Sequence, residues 1–271
     1  MFIYSLGAPL EGCTSSSFKG GQAIGEDDAR KLLMILAGPS PYQPYLKKAM
    51  AQQATTVPKR FLRIVTSVTS QVPKYLQQVF AGGGFVGGTI DRWTRTIYMV
   101  PAPGLRFETR LEYALHECVH LFAHPHVPTK GQCPPVCVGS FQRRFGKGLG
   151  EGLTQIITED VMDAQCIDRY YRDKPYADFA DVTRKVVSVF GLNAMARAYF
   201  FGDVQALNTS MDVRWGTAWH AVADAISSGD KTTALARIKR LENEYEQRLK
   251  DMIRQAPKGD FPTPTKYRHL V

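Results

Sequence analysis

Residues 116–120 read His116-Glu117-Cys118-Val119-His120, within a stretch where Leu111, Leu115, Val119 and Phe122 recur at helical spacing. That periodicity predicts a helix over Glu108 to Phe122. Residues four apart on a helix lie one turn above each other, so both imidazoles point the same way and can share one Zn2+. Glu117, next to the first histidine, projects toward the position such a metal leaves open, where it can take a proton from zinc-bound water. Tyr113 and His124 share this polar face. Two core histidines flanking a glutamate would instead bury an unpaired carboxylate, which is costly. The spacing points to a metal site.

A catalytic zinc site uses three protein ligands and keeps a fourth position open. His126 is one candidate for the third ligand. It completes His-Glu-x-x-His-x-x-Ala-x-x-His, a metzincin-like pattern with Ala123 at the place of the turn-forming Gly. Glu151, in Gly150-Glu151-Gly152-Leu153-Thr154-Gln155, is the other. Taken alone, it is also compatible with a helix-start carboxylate stabilised by the helix dipole.

From His116 to Thr158 the chain resembles the gluzincin metallopeptidases, where a second helix after a loop donates a glutamate from a Glu-Gly-x-Thr-type motif. The resemblance implies His116, His120 and Glu151 as metal ligands, with Glu151 in the first turn of its helix. His124 and His126 then become rim residues or outer hydrogen-bond partners. The pattern departs at Gln155, where relatives often carry a second glutamate. Tyr199, with His220 as the alternative, lies at a distance from Glu151 that suits the Tyr or His by which gluzincins stabilise the oxyanion. The implied reaction is zinc-dependent hydrolysis of a peptide bond with Glu117 as general base. The alternative chemistry is a zinc hydrolase acting on cell-wall amide bonds.

With Ala198-Tyr199-Phe200-Phe201-Gly202-Asp203 included, the region from Arg60 to Ile226 is similar to toxin-type metallopeptidase domains of bacterial type VI secretion spike proteins. That similarity implies an antibacterial effector, secreted or delivered into a target-cell periplasm, with an immunity-type inhibitor protein as partner. A cytoplasmic protease is the alternative. No signal peptide is recognisable: Met1 to Leu6 is apolar but has no basic residue before it.

Around this centre, Arg60 to Val68 and Thr94 to Val100 read as strands, and Gly82 to Gly88 as a glycine-rich rim. The second strand precedes the metal helix as an edge strand would, and a polypeptide substrate could join it as an extended strand. Helices follow over Glu151–Tyr171, Asp178–Phe190, Leu192–Phe201, Trp215–Ile226 and Lys231–Arg254. The expected class is α+β, mostly helical and zincin-like, with a small N-terminal β-sheet, the active-site helix and a helical C-terminal lobe. The expected division is an N-terminal extension over 1–57 and the catalytic domain over 58–271.

The 271 residues carry 44% hydrophobic and 22% charged residues, which excludes a disordered or fibrous chain. No apolar run reaches the ~18 residues of a membrane span. The net charge of +9 comes from basic residues spread along the chain, without a nucleic-acid-binding motif, so no specific nucleic-acid partner is expected. Five cysteines leave at least one unpaired; Cys133 and Cys137 are the one close pair, either reduced or joined as a clip.

Overall fold

A computed structural model describes residues 32–56, 63–66, 88–91, 96–99, 107–123, 139–167 and 176–255. Helices among the described residues include α1 (Gln43–Thr56), α2 (Phe107–Phe122), α3 (Ser140–Phe145), α4 (Lys147–Ala164), α5 (Ala177–Phe190), α6 (Leu192–Phe201), α7 (Val204–Trp215), α8 (Trp219–Ser227) and α9 (Lys231–Gln255). No helix among the described residues is long and apolar enough to cross a membrane.

The expected fold class is corrected. Of the residues described with their side chains, 87% are helical and none lies in a strand, so the fold is a helical one and not α+β. Among the described residues, strand is confined to three backbone segments of four residues each: β1 (Arg63–Thr66), β2 (Gly88–Asp91) and β3 (Thr96–Met99). β3 is central, parallel to β1 with Ile64 opposite Ile97, and antiparallel to β2 with Ile90 opposite Ile97. Both sides of β3 are therefore occupied by neighbours. The edge strand expected at Thr94 to Val100 is a middle strand.

The core is built by helices. α2 is buried on every side from Ala114 to Ala123: Leu115, Cys118 and Val119 have no exposed surface, and Phe122 has 1%. Such a helix takes its stability from packing around its whole circumference. α4 is its counterpart, with Leu149, Leu153, Ile156, Ile157, Val161 and Met162 all buried. Residues 32–50, expected as part of an extension, belong to this same core through Leu32, Leu36, Tyr42, Leu46 and Met50. Pro44 is tolerated in the first turn of α1, where its missing N–H has no intrahelical partner to lose.

α4 begins at Lys147, one turn earlier than expected, because its glycines are packing devices and not a loop signal. A Cβ on Gly148 would lie 2.6 Å from the backbone carbon of Ile226 in α8. Gly146, which joins α3 to α4, has φ +89°, a value that favours glycine. α9 buries Ala234, Ile238 and Leu241 along one stripe. Glu244 on its outer face accepts from Arg240, while Arg248 donates to the carbonyl of Arg214.

Candidate metal centre

α2 and α4 lie antiparallel, each with a polar stripe turned to the other. On α2 the stripe is Glu112, His116 and His120; on α4 it is Glu151, Thr154 and Gln155. These are i, i+3 and i+4 positions of a helix face. Glu112 meets Gln155, His116 meets Gln155 and Glu151, and His120 meets Glu151 and Thr154. All six are buried.

The centre of the stripe is the Glu151 carboxylate. Its Oε2 lies 3.3 Å from His116 Nε2 and 3.0 Å from His120 Nε2. Donor atoms of the three side chains all lie within 4.8 Å of one another, so the trio can hold a metal ion. Ligand atoms at the ~2.0–2.2 Å distances of a tetrahedral N/O site are separated by roughly 3.3 Å. The two nitrogen–oxygen separations have that size.

Proton bookkeeping supports the same use. Thr154 Oγ1 donates its single hydrogen to the Gly150 carbonyl at 2.8 Å. Toward its other neighbours it can only accept, so the Tyr199 O–H donates to it at 2.7 Å and His120 Nδ1–H approaches at 3.3 Å. With Nδ1 engaged by Thr154, His120 turns Nε2 toward Glu151. His116 Nδ1 lies 3.0 Å from the Gln155 side-chain oxygen, also an acceptor, so its Nε2 is presented in the same way. Both Nε2 atoms and a carboxylate converge on one point, which can hold protons or a cation.

The electrostatics agree. Burial alone would raise Glu151, but the charge of His120 and hydrogen bonds from both imidazoles hold it far below the ordinary carboxylate range. Burial alone would lower His116, but the hydrogen bond and charge of Glu151, with the charge of Glu117, hold it above its ordinary 6.5. Positive charge belongs at this junction, as protons or as a metal ion.

Two neighbours complete the wall. Tyr176, just before α5, stacks on His116 with ring centroids 4.7 Å apart and planes 21° apart. Burial, then the charges of Glu151 and Glu117, push its hydroxyl well above the ordinary tyrosine value, so it stays protonated. Gln142 of α3 reaches Glu151 Oε1 at 3.5 Å. α5 comes this close because of Gly152: a Cβ there would lie 2.5 Å from the Phe179 carbonyl oxygen and 2.2 Å from Thr183 Oγ1.

His116, His120 and Glu151 are therefore brought together, with Glu117 buried beside them at 8% exposure. Glu151 sits in the second turn of its helix and not at the start, so a helix-end charge interaction does not explain its position. Tyr199 is 2% exposed, its ring against Phe141 and Phe200, and its hydroxyl meets Thr154 on the Nδ1 side of His120. That places it behind a ligand. His220 is exposed on α8 and stacks on Trp219. Cys118 lies in the apolar core. His124, His126, Cys133, Cys137 and the 82–87 stretch lie outside the described residues.

Sequence reasoning missed Glu112, Gln142, Thr154 and Tyr176. Thr154 and Gln155 had a readable signal, since i+3 and i+4 from a ligand face the same helix; Tyr176 had none. No protein-family model matches the chain, and comparison with curated proteins and with solved structures finds no match.

Proposed function

We propose that the chain is a zinc-dependent metallopeptidase with His116, His120 and Glu151 as ligands and Glu117 as general base. The observation that carries this reading is the convergence of both Nε2 atoms on the Glu151 carboxylate, with each Nδ1 facing a hydrogen-bond acceptor. Two imidazoles and one carboxylate form a donor set that suits Zn2+ over harder cations such as Mg2+ or Ca2+. When bound, the ion acts as a Lewis acid toward a carbonyl oxygen and makes water acidic near neutral pH.

The remaining work falls to side chains of this chain. Glu117 follows His116 in sequence and is buried beside it, within range of the cluster's charge. It takes the proton from the attacking water and returns it to the leaving amine, the exchange a carboxylate at this place is suited to. Tyr176, stacked on His116, limits the ring's freedom and presents a protonated hydroxyl at the same wall.

The test is Glu117→Ala in the full chain, with zinc content by elemental analysis and cleavage of a mixed peptide library as readouts. The expected result is native zinc content and hydrolysis lowered by roughly 10²–10⁴-fold, the usual contribution of a general base. Full activity in that variant overturns the assignment. The same assay on a purified cell-wall digest identifies which class of amide is cleaved.

A further inference from the structure

The polar stripe continues past the ligands. Gln155 lies between His116 and two carboxylates. Its Oε1 is 3.0 Å from His116 Nδ1, and its Nε2 donates to Glu112 Oε1 at 2.7 Å and to Glu159 Oε1 at 3.1 Å. An amide can turn over by half a rotation. A turned Gln155 would point its oxygen at both carboxylates, replacing two charge-assisted hydrogen bonds with two oxygen–oxygen contacts. The carboxylates are themselves fixed in place. Arg184 of α5 donates to Glu159 Oε2 at 2.7 Å and to Asp160 Oδ1 at 3.1 Å, and Glu112 is buried on α2 at 5% exposure.

We propose that Gln155 is a positioning residue of the metal site: its amide, locked in one orientation by Glu112 and Glu159, accepts the His116 Nδ1 proton and keeps Nε2 as the ligand atom. This rests on the metallopeptidase reading and adds a dependence that reading does not contain. Metal affinity is tied to two carboxylates that stand behind the histidine. It also accounts for an amide at 155. A glutamate there would still accept from His116, but it would bring a third carboxylate against Glu112 and Glu159, an arrangement that like charges disfavour. Exchanging the two side chains, as E112Q/Q155E, restores a donor facing an acceptor with the sides reversed.

Two measurements on the full chain test this. The first is zinc affinity by competition with a chromophoric chelator. Q155E is expected to bind roughly 10–100-fold more weakly than the native chain, the range found for partners behind a metal ligand. E112Q/Q155E is expected to recover roughly 10-fold of that loss. Native affinity in Q155E, or an exchange variant no tighter than Q155E, overturns the proposal.

The second is the ¹⁵N spectrum of the histidine rings in the native chain, with zinc and without it, the metal-free spectrum taken at a pH high enough that the His116 ring carries a single proton. The expected result is a protonated His116 Nδ1 in both; a bare Nδ1 with the proton on Nε2 overturns the proposal, even if a variant fails to fold. Absence of zinc binding by the native chain would remove the metallopeptidase reading instead, and the metal-free spectrum would still decide the role of Gln155.

Discussion

Glu151 meets both imidazoles through one carboxylate oxygen, and Gln142 approaches the other. Glu151→Ala removes the anionic member of the trio and leaves two nitrogen lone pairs facing a cavity. Zinc affinity should then fall by more than roughly 100-fold, beyond what losing a partner behind a ligand costs, and elemental analysis should find the purified variant largely metal-free. Unchanged occupancy would pass the third-ligand role to His126. Tyr199 gives the opposite expectation. Its hydroxyl bonds to Thr154, behind His120, so Tyr199→Phe removes that buried hydrogen bond, worth about 1 kcal/mol. Peptide hydrolysis should fall less than about 10-fold, against the roughly 10²–10³-fold that follows loss of an oxyanion donor. Steady-state kinetics beside a thermal melt separate the two.

Between elements, the contact of α4 with α5 depends on Gly152. In Gly152→Ala the added methyl would lie 2.5 Å from a backbone carbonyl oxygen of α5, which cannot rotate away as a side chain can. The helices must separate, at a cost of at least ~1–3 kcal/mol of stability, and Tyr176 moves with α5 away from His116. A denaturant titration should show the midpoint shift, and an unchanged midpoint would show that α5 accommodates the methyl. The same contact shows what sequence can reveal. Leu192–Phe201 is a helix at the expected residues, and the metal helix begins within one residue of its expected start, because their apolar periodicity is their packing. The start of α4 was hidden because Gly146, Gly148 and Gly150 read as a loop, whereas Gly148 marks where α8 passes. The convergence of His116, His120 and Glu151 was legible because four-residue spacing is a property of one helix and Glu-Gly-Leu-Thr of another. Tyr176 was not legible, since its stacking depends on how near two helices come. α+β was over-read for a related reason: alternation at Ile97 to Val100 marks a strand without telling how short it is or what flanks it.

Across the molecule, the trio lies inside the main core, so proton and metal binding act on overall stability. In metal-free protein His116 is held above its ordinary 6.5, so its contribution is fully present below 6.5 and is lost as pH rises through the folded value. Glu151 is held below its ordinary 4.5, so its contribution is present above 4.5 and fades as pH falls toward the folded value. The two overlap between 4.5 and 6.5, where the metal-free chain gains most from this pair. Zinc competes with the protons, so the stabilisation it adds should grow with pH. Melting curves with zinc and with chelator should therefore diverge as pH is raised from 6.5, and a constant gap would overturn this account. The placement of α2 carries one more consequence. A helix buried on every side could not lose a bound cation and leave the rest of the protein undisturbed. Under the proposed function, metal-free molecules would open more often than loaded ones, and an open chain is peptide, the substrate class proposed for the loaded ones. A mixed population would then prune itself: working copies would persist and empty copies would be digested, so metal supply would set the protein's lifetime as well as its activity.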